Sequence, residues 1–108
     1  MTASDSFASG NWIVVDGKED EFVSRWKDFI EWTRDNAEGF RGADLLRSGK
    51  DPRRFVSVAR WDDDDAQKRW RSTPGFLEKL GACRELCHEA QTGRFRRVAS
   101  VTTGPSQV

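Results

Sequence analysis

The apolar residues of this chain alternate between a period of two, typical of strands, and a period near 3.6, typical of helices. In chain order the pattern reads β-α-β-β-α-β, which is the order of the ferredoxin-like α+β fold. That fold places helices on one face of a four-stranded antiparallel sheet. The strands are predicted at 11–15 (beginning as early as residue 7), 40–47, 53–61 and 92–101. The first helix is predicted between Gly17 and the stop signal at 36–39, with its apolar positions at 22–33, and further helical segments are predicted at 66–72 and 76–89.

Turn and capping residues support these boundaries. The sequence at 48–52 is Ser-Gly-Lys-Asp-Pro, so the strands on either side are predicted to form a hairpin. Asp16 and Glu19 are three residues apart and predict a capping box at the start of the first helix. The four aspartates at 62–65 precede the second helix, where one is expected to cap its amides and the others to oppose its dipole. Consecutive carboxylates cannot converge on one cation, so no metal site is predicted.

Length and charge limit the functions to consider. The chain has 108 residues, which predicts one domain over 1–108 with a core at about 7–101 and a flexible tail at 102–108. Its 18 Lys and Arg balance its 18 Asp and Glu, so neither a nucleic acid nor a membrane is the expected partner. The first residues lack a signal-peptide pattern and the two cysteines are expected to be reduced, which predicts a cytoplasmic protein.

The third predicted strand carries apolar residues on both of its faces. Phe55, Ala59 and Trp61 point one way, whereas Val56 and Val58 point the other. Neither face is suited to water alone. The sequence therefore predicts a homodimer in which two sheets pack face to face.

A set of short motifs extends over most of the chain, from about residue 10 to residue 100. It comprises VDGKEDEF at 15–22, Trp26, EGFRGA at 38–43, FVSVARW at 55–61, and Ala66, Trp70, Ser72, Pro74 and Phe76. Together these motifs resemble the antibiotic biosynthesis monooxygenase family of the dimeric α+β barrel superfamily. The resemblance implies the same fold, a homodimer and a small aromatic ligand held between the sheet and the helices.

Within that family, cofactor-free oxygenases act on polycyclic phenolic anthrones with an Asn and a Trp on the third strand and a Tyr nearby. The Trp corresponds to Trp61, Ser57 occupies the Asn position, and the chain contains no Tyr. The resemblance thus implies a monooxygenase that needs no cofactor and oxidises an aromatic, polyketide-like molecule. In this interpretation Trp61 lines the substrate, Ser57 donates a hydrogen bond to it, and Trp70 and Phe76 form the pocket wall.

Two alternatives follow from the departures from the family pattern. The missing Asn and Tyr favour a non-enzymatic small-molecule-binding or accessory protein on the same scaffold. The haem-degrading members use an Asn on the first strand, a Trp on the second helix and an axial His ten residues later. Asn11 and Trp70 match the first two, but Leu80 stands where the His would be, so a haem oxygenase ranks third.

The remaining candidate residues have simpler structural interpretations. His88, the only histidine, is predicted to lie at the end of the last helix, near its C-terminal carbonyls. Cys83 and Cys87 are four residues apart on an apolar helix face and are interpreted as small buried residues. The clusters of arginine and lysine are interpreted as a solvated rim with salt bridges. No catalytic acid, base or metal ligand is assigned.

Overall fold

The computed structural model describes residues 6–103 and confirms the predicted β-α-β-β-α-β order. Most of the tail predicted at 102–108 lies outside the described residues. The elements are β1 (Ser6–Val14), α1 (Glu19–Asn36), β2 (Phe40–Arg47), β3 (Arg54–Trp61), α2 (Asp64–Arg71), α3 (Phe76–Arg84) and β4 (Cys87–Arg96).

The strands form one antiparallel sheet in the order β2-β3-β1-β4, with the predicted hairpin between β2 and β3. Gly10, near the middle of β1, pairs with Ser57 of β3 and with Thr92 of β4. Residues directly opposite each other share a face of the sheet. Small residues therefore form a row across the middle of the sheet and leave space above it.

The helices pack on one face of this sheet, as predicted. In α1 the buried residues Phe22, Trp26, Phe29 and Thr33 recur at intervals of three and four, which places them on one side of the helix. The helix ends before Gly39, whose φ of 88° favours glycine. The sheet contributes five further buried apolar residues to the same core: Trp12, Val14, Phe55, Ala59 and Trp61.

The last helix and the last strand differ from their predicted positions. Helix α3 ends at Arg84, not at 89, and β4 begins at Cys87, not at 92. The apolar spacing was compatible with a longer helix, but the free edge of β1 needs hydrogen-bond partners. Val15 N donates to Leu86 O at 2.9 Å, and β4 then pairs with β1 along its whole length. The prediction that His88 lies at a helix end is therefore wrong, because His88 is an exposed residue of β4.

The structure contradicts the N-terminal cap predicted for α1 and confirms the cap predicted for α2. At α1 the capping box is wrong, because Lys18 occupies the N-cap without a side-chain hydrogen bond. Glu19 Oε1 instead accepts a hydrogen bond from Gly17 N at 3.0 Å. At α2 the prediction is confirmed, because Asp63 Oδ1 accepts from Ala66 N at 2.8 Å.

Across residues 6–103, no helix combines the length and the apolar character needed to cross a membrane.

Candidate functional site

A cavity of about 290 Å³ lies between the helices and the sheet, and we call it the tryptophan cavity. Because a cavity of about 150 Å³ can hold benzene, this volume accommodates about two fused aromatic rings. The cavity is partly open to solvent, so a third ring can extend out of it. Its apolar wall is formed by Ala8, Trp12, Trp26, Phe29, Ile30, Ala59, Trp70, Phe76 and Leu80. Its polar side chains are those of Ser57, Arg71, Thr92 and Arg94.

Trp70 of α2 forms a rigid part of this wall. Its Nε1 donates a hydrogen bond to Thr33 Oγ1 at 3.0 Å, and the Thr33 hydroxyl donates to the carbonyl of Phe29 at 2.9 Å. The Trp70 ring stacks on Phe29 with centroids 5.8 Å apart and meets Phe76 edge to face at 4.8 Å. Because the polar edge of the indole is already satisfied, Trp70 offers a ligand only its apolar surface.

Ser57 of β3 is the buried hydroxyl of the cavity. Trp12 Nε1 donates a hydrogen bond to Ser57 Oγ at 3.1 Å. Among residues 6–103 the Ser57 hydroxyl has no acceptor for its own proton, so it remains able to donate to a ligand. This geometry is compatible with the donor role predicted for Ser57 from the sequence.

The charged lining of the cavity consists of Arg71, at the end of α2, and Arg94, in β4. Burial, and after it the charge of Arg94, lowers the pKa of Arg71. Within the described chain no Asp, Glu or His lines the cavity. The site can therefore stabilise an anion, but it offers no side chain that would act as a general base near neutral pH.

The structure brings three of the five predicted site residues to the cavity and leaves two outside it. Ser57, Trp70 and Phe76 line it. Trp61 is completely buried, with its ring 4.7 Å from that of Trp70, and does not line the cavity. Within residues 6–103, its Nε1 is the one buried side-chain nitrogen or oxygen without a hydrogen-bond partner. Asn11 is exposed on the opposite face of the sheet, because neighbouring residues of a strand point to opposite sides.

Sequence reasoning missed most of the cavity lining, including Trp12, Arg71 and Arg94. One of them carried a usable signal. The large apolar side chain of Trp12 indicates that this residue faces the core. Because neighbouring side chains of a strand point to opposite faces, Asn11 then faces outward. The contributions of Arg71 and Arg94 depend on how α2 and β4 approach each other, which no local pattern reveals.

The structure contradicts part of the prediction for the cysteines, because Cys87 begins β4 and does not share a helix face with Cys83 of α3. Cys83 is buried, Cys87 is half-buried, and both are free thiols. Burial raises the pKa of Cys83 to about 12 and that of Cys87 to about 11, so both thiols stay protonated and weakly nucleophilic at neutral pH. In the described part of the chain, no group of three or more His, Cys, Asp or Glu residues is arranged to hold a metal ion.

Comparison with known proteins places the chain in a family. The sequence pattern of the antibiotic biosynthesis monooxygenase family matches residues 11–79, and the chain belongs to that family. The resemblance seen in the sequence is therefore confirmed. A search of curated proteins returned no match.

Solved structures support the same assignment. Two crystal structures of SnoaB, a cofactor-independent oxygenase from Streptomyces nogalater, are 27% and 28% identical to this chain, with TM-scores of 0.84 and 0.80. They cover 94% and 93% of this chain and 100% of SnoaB. A Bordetella bronchiseptica protein that bears the same family name is 22% identical, covers 90% of this chain and 100% of its own, and shares the fold with a TM-score of 0.77. The family and these relatives support a monooxygenase.

Proposed function

We propose that this protein is a cofactor-independent monooxygenase that oxidises a planar phenolic, polyketide-like molecule in the tryptophan cavity. The observation that carries the proposal is the Ser57 hydroxyl, whose proton has no acceptor within residues 6–103, in a cavity with aromatic walls and two cations. The likeness to SnoaB, itself a cofactor-independent oxygenase, supports the same class of reaction.

The reaction needs a substrate that can become an anion. An activated methylene group next to a phenolic ring system loses a proton to give an enolate or phenolate, which passes electrons to dioxygen. In the net change, one methylene group and one dioxygen molecule give one ketone carbonyl and one water molecule. One oxygen atom enters the substrate, the other leaves as water, and the substrate supplies all of the electrons.

The cavity supplies binding and electrostatic stabilisation to this reaction. Trp70 and Phe76 hold the rings by apolar contact, and Ser57 donates a hydrogen bond to the oxyanion as charge develops. Arg71 and Arg94 favour the anionic form of the substrate. Since no general base lines the cavity within residues 6–103, the substrate proton passes to solvent. The rate is then expected to rise with pH as the substrate itself ionises.

Oxygen consumption with a dihydroxyanthrone tests this proposal. Ser57→Ala removes the donor to the oxyanion and is expected to lower kcat by about tenfold or more while changing KM less. Ser24→Ala, which removes an exposed hydroxyl of α1, is the matched control and should retain wild-type turnover. Equal turnover in both variants, or no oxygen consumption by the wild-type protein, would contradict the proposal.

The proposal includes a homodimer located in the cytoplasm. The face of the sheet opposite the helices carries half-buried Val56 and Val58 and the largely exposed Leu46 and Phe95. An apolar surface of this kind favours a partner over water. The two free cysteines are consistent with a reducing compartment.

A non-enzymatic ligand-binding protein is the second candidate, because the cavity lining of the described chain includes no general base. This alternative predicts that a phenolic ligand binds tightly and that no oxygen is consumed.

A haem oxygenase fits the residues less well, since Leu80 lines the cavity where a haem-degrading relative has its axial His. Titration with hemin is therefore expected to show no sharp Soret band of an axially ligated complex.

A further inference from the structure

Helix α2 buries an amide side chain one turn before the cavity residues Trp70 and Arg71. Gln67 is completely buried in the middle of α2, where an apolar side chain would need no hydrogen-bond partners. A buried amide is stable only when its oxygen and its nitrogen are hydrogen-bonded. Both groups of Gln67 have a partner, and one of these partners, Arg71, lines the cavity.

A chain of hydrogen bonds fixes the orientation of the Gln67 amide. The Ser6 hydroxyl donates its single proton to Asp64 Oδ1 at 2.7 Å, so Ser6 can only accept from Gln67. Gln67 Nε2 donates to Ser6 Oγ at 2.8 Å. Asp64 also lies 3.8 Å from Arg96 Nη2 and is thereby held as a carboxylate acceptor. The amide nitrogen is directed to β1, which leaves the amide oxygen for Arg71.

The Gln67 oxygen holds Arg71 without cancelling its charge. Residues four apart share a face of a helix, and Arg71 Nη1 donates to Gln67 Oε1 at 3.2 Å. Arg25, Arg41 and Arg53 are instead held by carboxylates. Within residues 6–103, Arg71 forms no ion pair. A neutral amide thus supplies the position of the guanidinium, whereas a carboxylate in its place would also neutralise it.

The charged groups around Arg71 come from α2 and β4. Burial, and after it the charge of Arg94 in β4, lowers the pKa of Arg71, while Asp64 in α2 acts in the opposite direction. The guanidinium remains charged near neutral pH, because an arginine starts from a very high pKa. Across the described chain, no carboxylate and no histidine lines the cavity. The charge of Arg71 therefore acts on a bound molecule without a counter-charge in the cavity wall.

We propose that Gln67 is a positioning residue that holds the Arg71 guanidinium at the tryptophan cavity, where its charge favours the ionised form of a bound phenol. The inference rests on the proposed function, because it explains how the cavity would favour a phenolate without a general base. A nearby opposite charge lowers the pKa of an ionisable group by about one to three pH units. Without Gln67, the half-buried Arg71 would be free to turn towards solvent.

The ionisation of a bound dye measures this effect separately from oxidation. The probe is 1,2-dihydroxyanthraquinone, a phenol whose colour changes when it ionises. It has a carbonyl group where an anthrone has its methylene group, so the proposed oxidation cannot occur. In absorbance titrations at low salt, we expect the pKa of the dye bound to the wild-type protein to lie about one pH unit below that of the free dye.

A double-mutant cycle separates positioning from a merely structural role. Gln67→Met keeps a side chain of similar length but removes both amide hydrogen bonds, and it should raise the pKa of the bound dye by about half a pH unit. Arg71→Gln should raise that pKa at least as much. When Arg71 is already replaced, Gln67→Met should raise it no further, because the positioned charge is gone. Arg69→Gln changes an exposed residue of α2 outside the cavity lining and is the matched control background, in which Gln67→Met should keep its full effect.

Ser6→Ala provides a second variant in case Gln67→Met does not fold. It removes the acceptor that orients the amide and leaves Gln67 itself in place. We expect it to raise the pKa of the bound dye in the same direction, and only while Arg71 is present.

The outcomes distinguish this inference from the proposed function. The inference would be overturned by a bound dye with the pKa of the free dye, by no binding of the dye, by a Gln67→Met protein with the wild-type dye pKa, or by an effect of Gln67→Met or Ser6→Ala that persists without Arg71. A dye pKa that depends jointly on Gln67 and Arg71, without oxygen consumption on dihydroxyanthrone, would overturn the oxygenase alone. Oxygen consumption with an unshifted dye pKa would overturn the positioning role alone.

Discussion

At the scale of single residues, the hydrogen bond between Trp12 and Ser57 depends on the absence of a side chain at Gly10. A Cβ atom at Gly10 would lie 2.6 Å from Trp12 Nε1 and 2.7 Å from Ser57 Oγ. Both neighbours belong to buried side chains, so neither can move away freely. Gly10 therefore positions the hydroxyl that we propose to act on the substrate.

Substitution of this glycine is expected to affect stability and turnover together. Gly10→Ala should lower the free energy of unfolding by about 1–3 kcal/mol through overpacking, and it should lower kcat by displacing Ser57. Thermal unfolding and oxygen consumption measure the two effects. Gly81→Ala is the matched control, because nothing lies within 4 Å of a Cβ at that position of α3. A Gly10→Ala protein with wild-type midpoint and kcat would refute the positioning role.

At the scale of elements, α2 carries much of the site on only eight residues. A helix this short is not stable by itself, so contacts at its ends and on its buried face must hold it. Asp63 caps its first turn, Gln67 anchors its middle to β1 through Ser6, and Trp70 packs on α1. Arg71 follows Trp70 directly, so the orientation of α2 decides where both the ring and the charge lie.

Loss of the Asp63 cap should therefore destabilise α2 and impair the function of the cavity that α2 borders. Asp63→Ala removes the acceptor for Ala66 N and is expected to cost about 1 kcal/mol of unfolding free energy. Turnover of dihydroxyanthrone should fall as the helix start loosens and Trp70 shifts. Asp65→Ala, which removes an exposed charge of the same turn but no cap, should cost less. Chemical denaturation and oxygen consumption of the two variants provide the comparison, and equal losses would argue against the capping role.

At the scale of the whole molecule, one face of the sheet has no helix to cover it. Phe7, Ile13, Val56 and Val58 lie half-buried on that face, and Leu46 is 56% exposed beside them. A contiguous apolar surface on a small protein is a typical site of association.

Sedimentation equilibrium at micromolar concentration is expected to give about twice the chain mass of 12.3 kDa. Leu46→Glu places a charge on the open face and should shift the protein towards a monomer. Leu77→Glu is the matched control, because Leu77 is 78% exposed on α3, on the helical side of the sheet, and should leave the mass unchanged. A wild-type monomer would refute the homodimer.

The sequence by itself determined the order of elements, because the periods of two and 3.6 are local properties of the chain. The turn at 48–52, the cap at Asp63 and the apolar stripe of α1 depend on neighbouring residues, and the structure confirms each of them. Ser57, Trp70 and Phe76 could be predicted as pocket residues because they coincide with motifs of the family.

The tertiary structure alone decided the features that depend on long-range pairing. The start of β4 follows from the hydrogen-bonding needs of β1, which lies far away in the sequence, and not from the apolar spacing around Cys87. Trp61 was the first pocket candidate in the sequence and Trp70 the second, yet Trp70 lines the cavity and Trp61 is buried against it. Arg71 and Arg94 both line the cavity because α2 and β4 each border it. Packing geometry is a property of the assembled chain, so no local pattern encodes it.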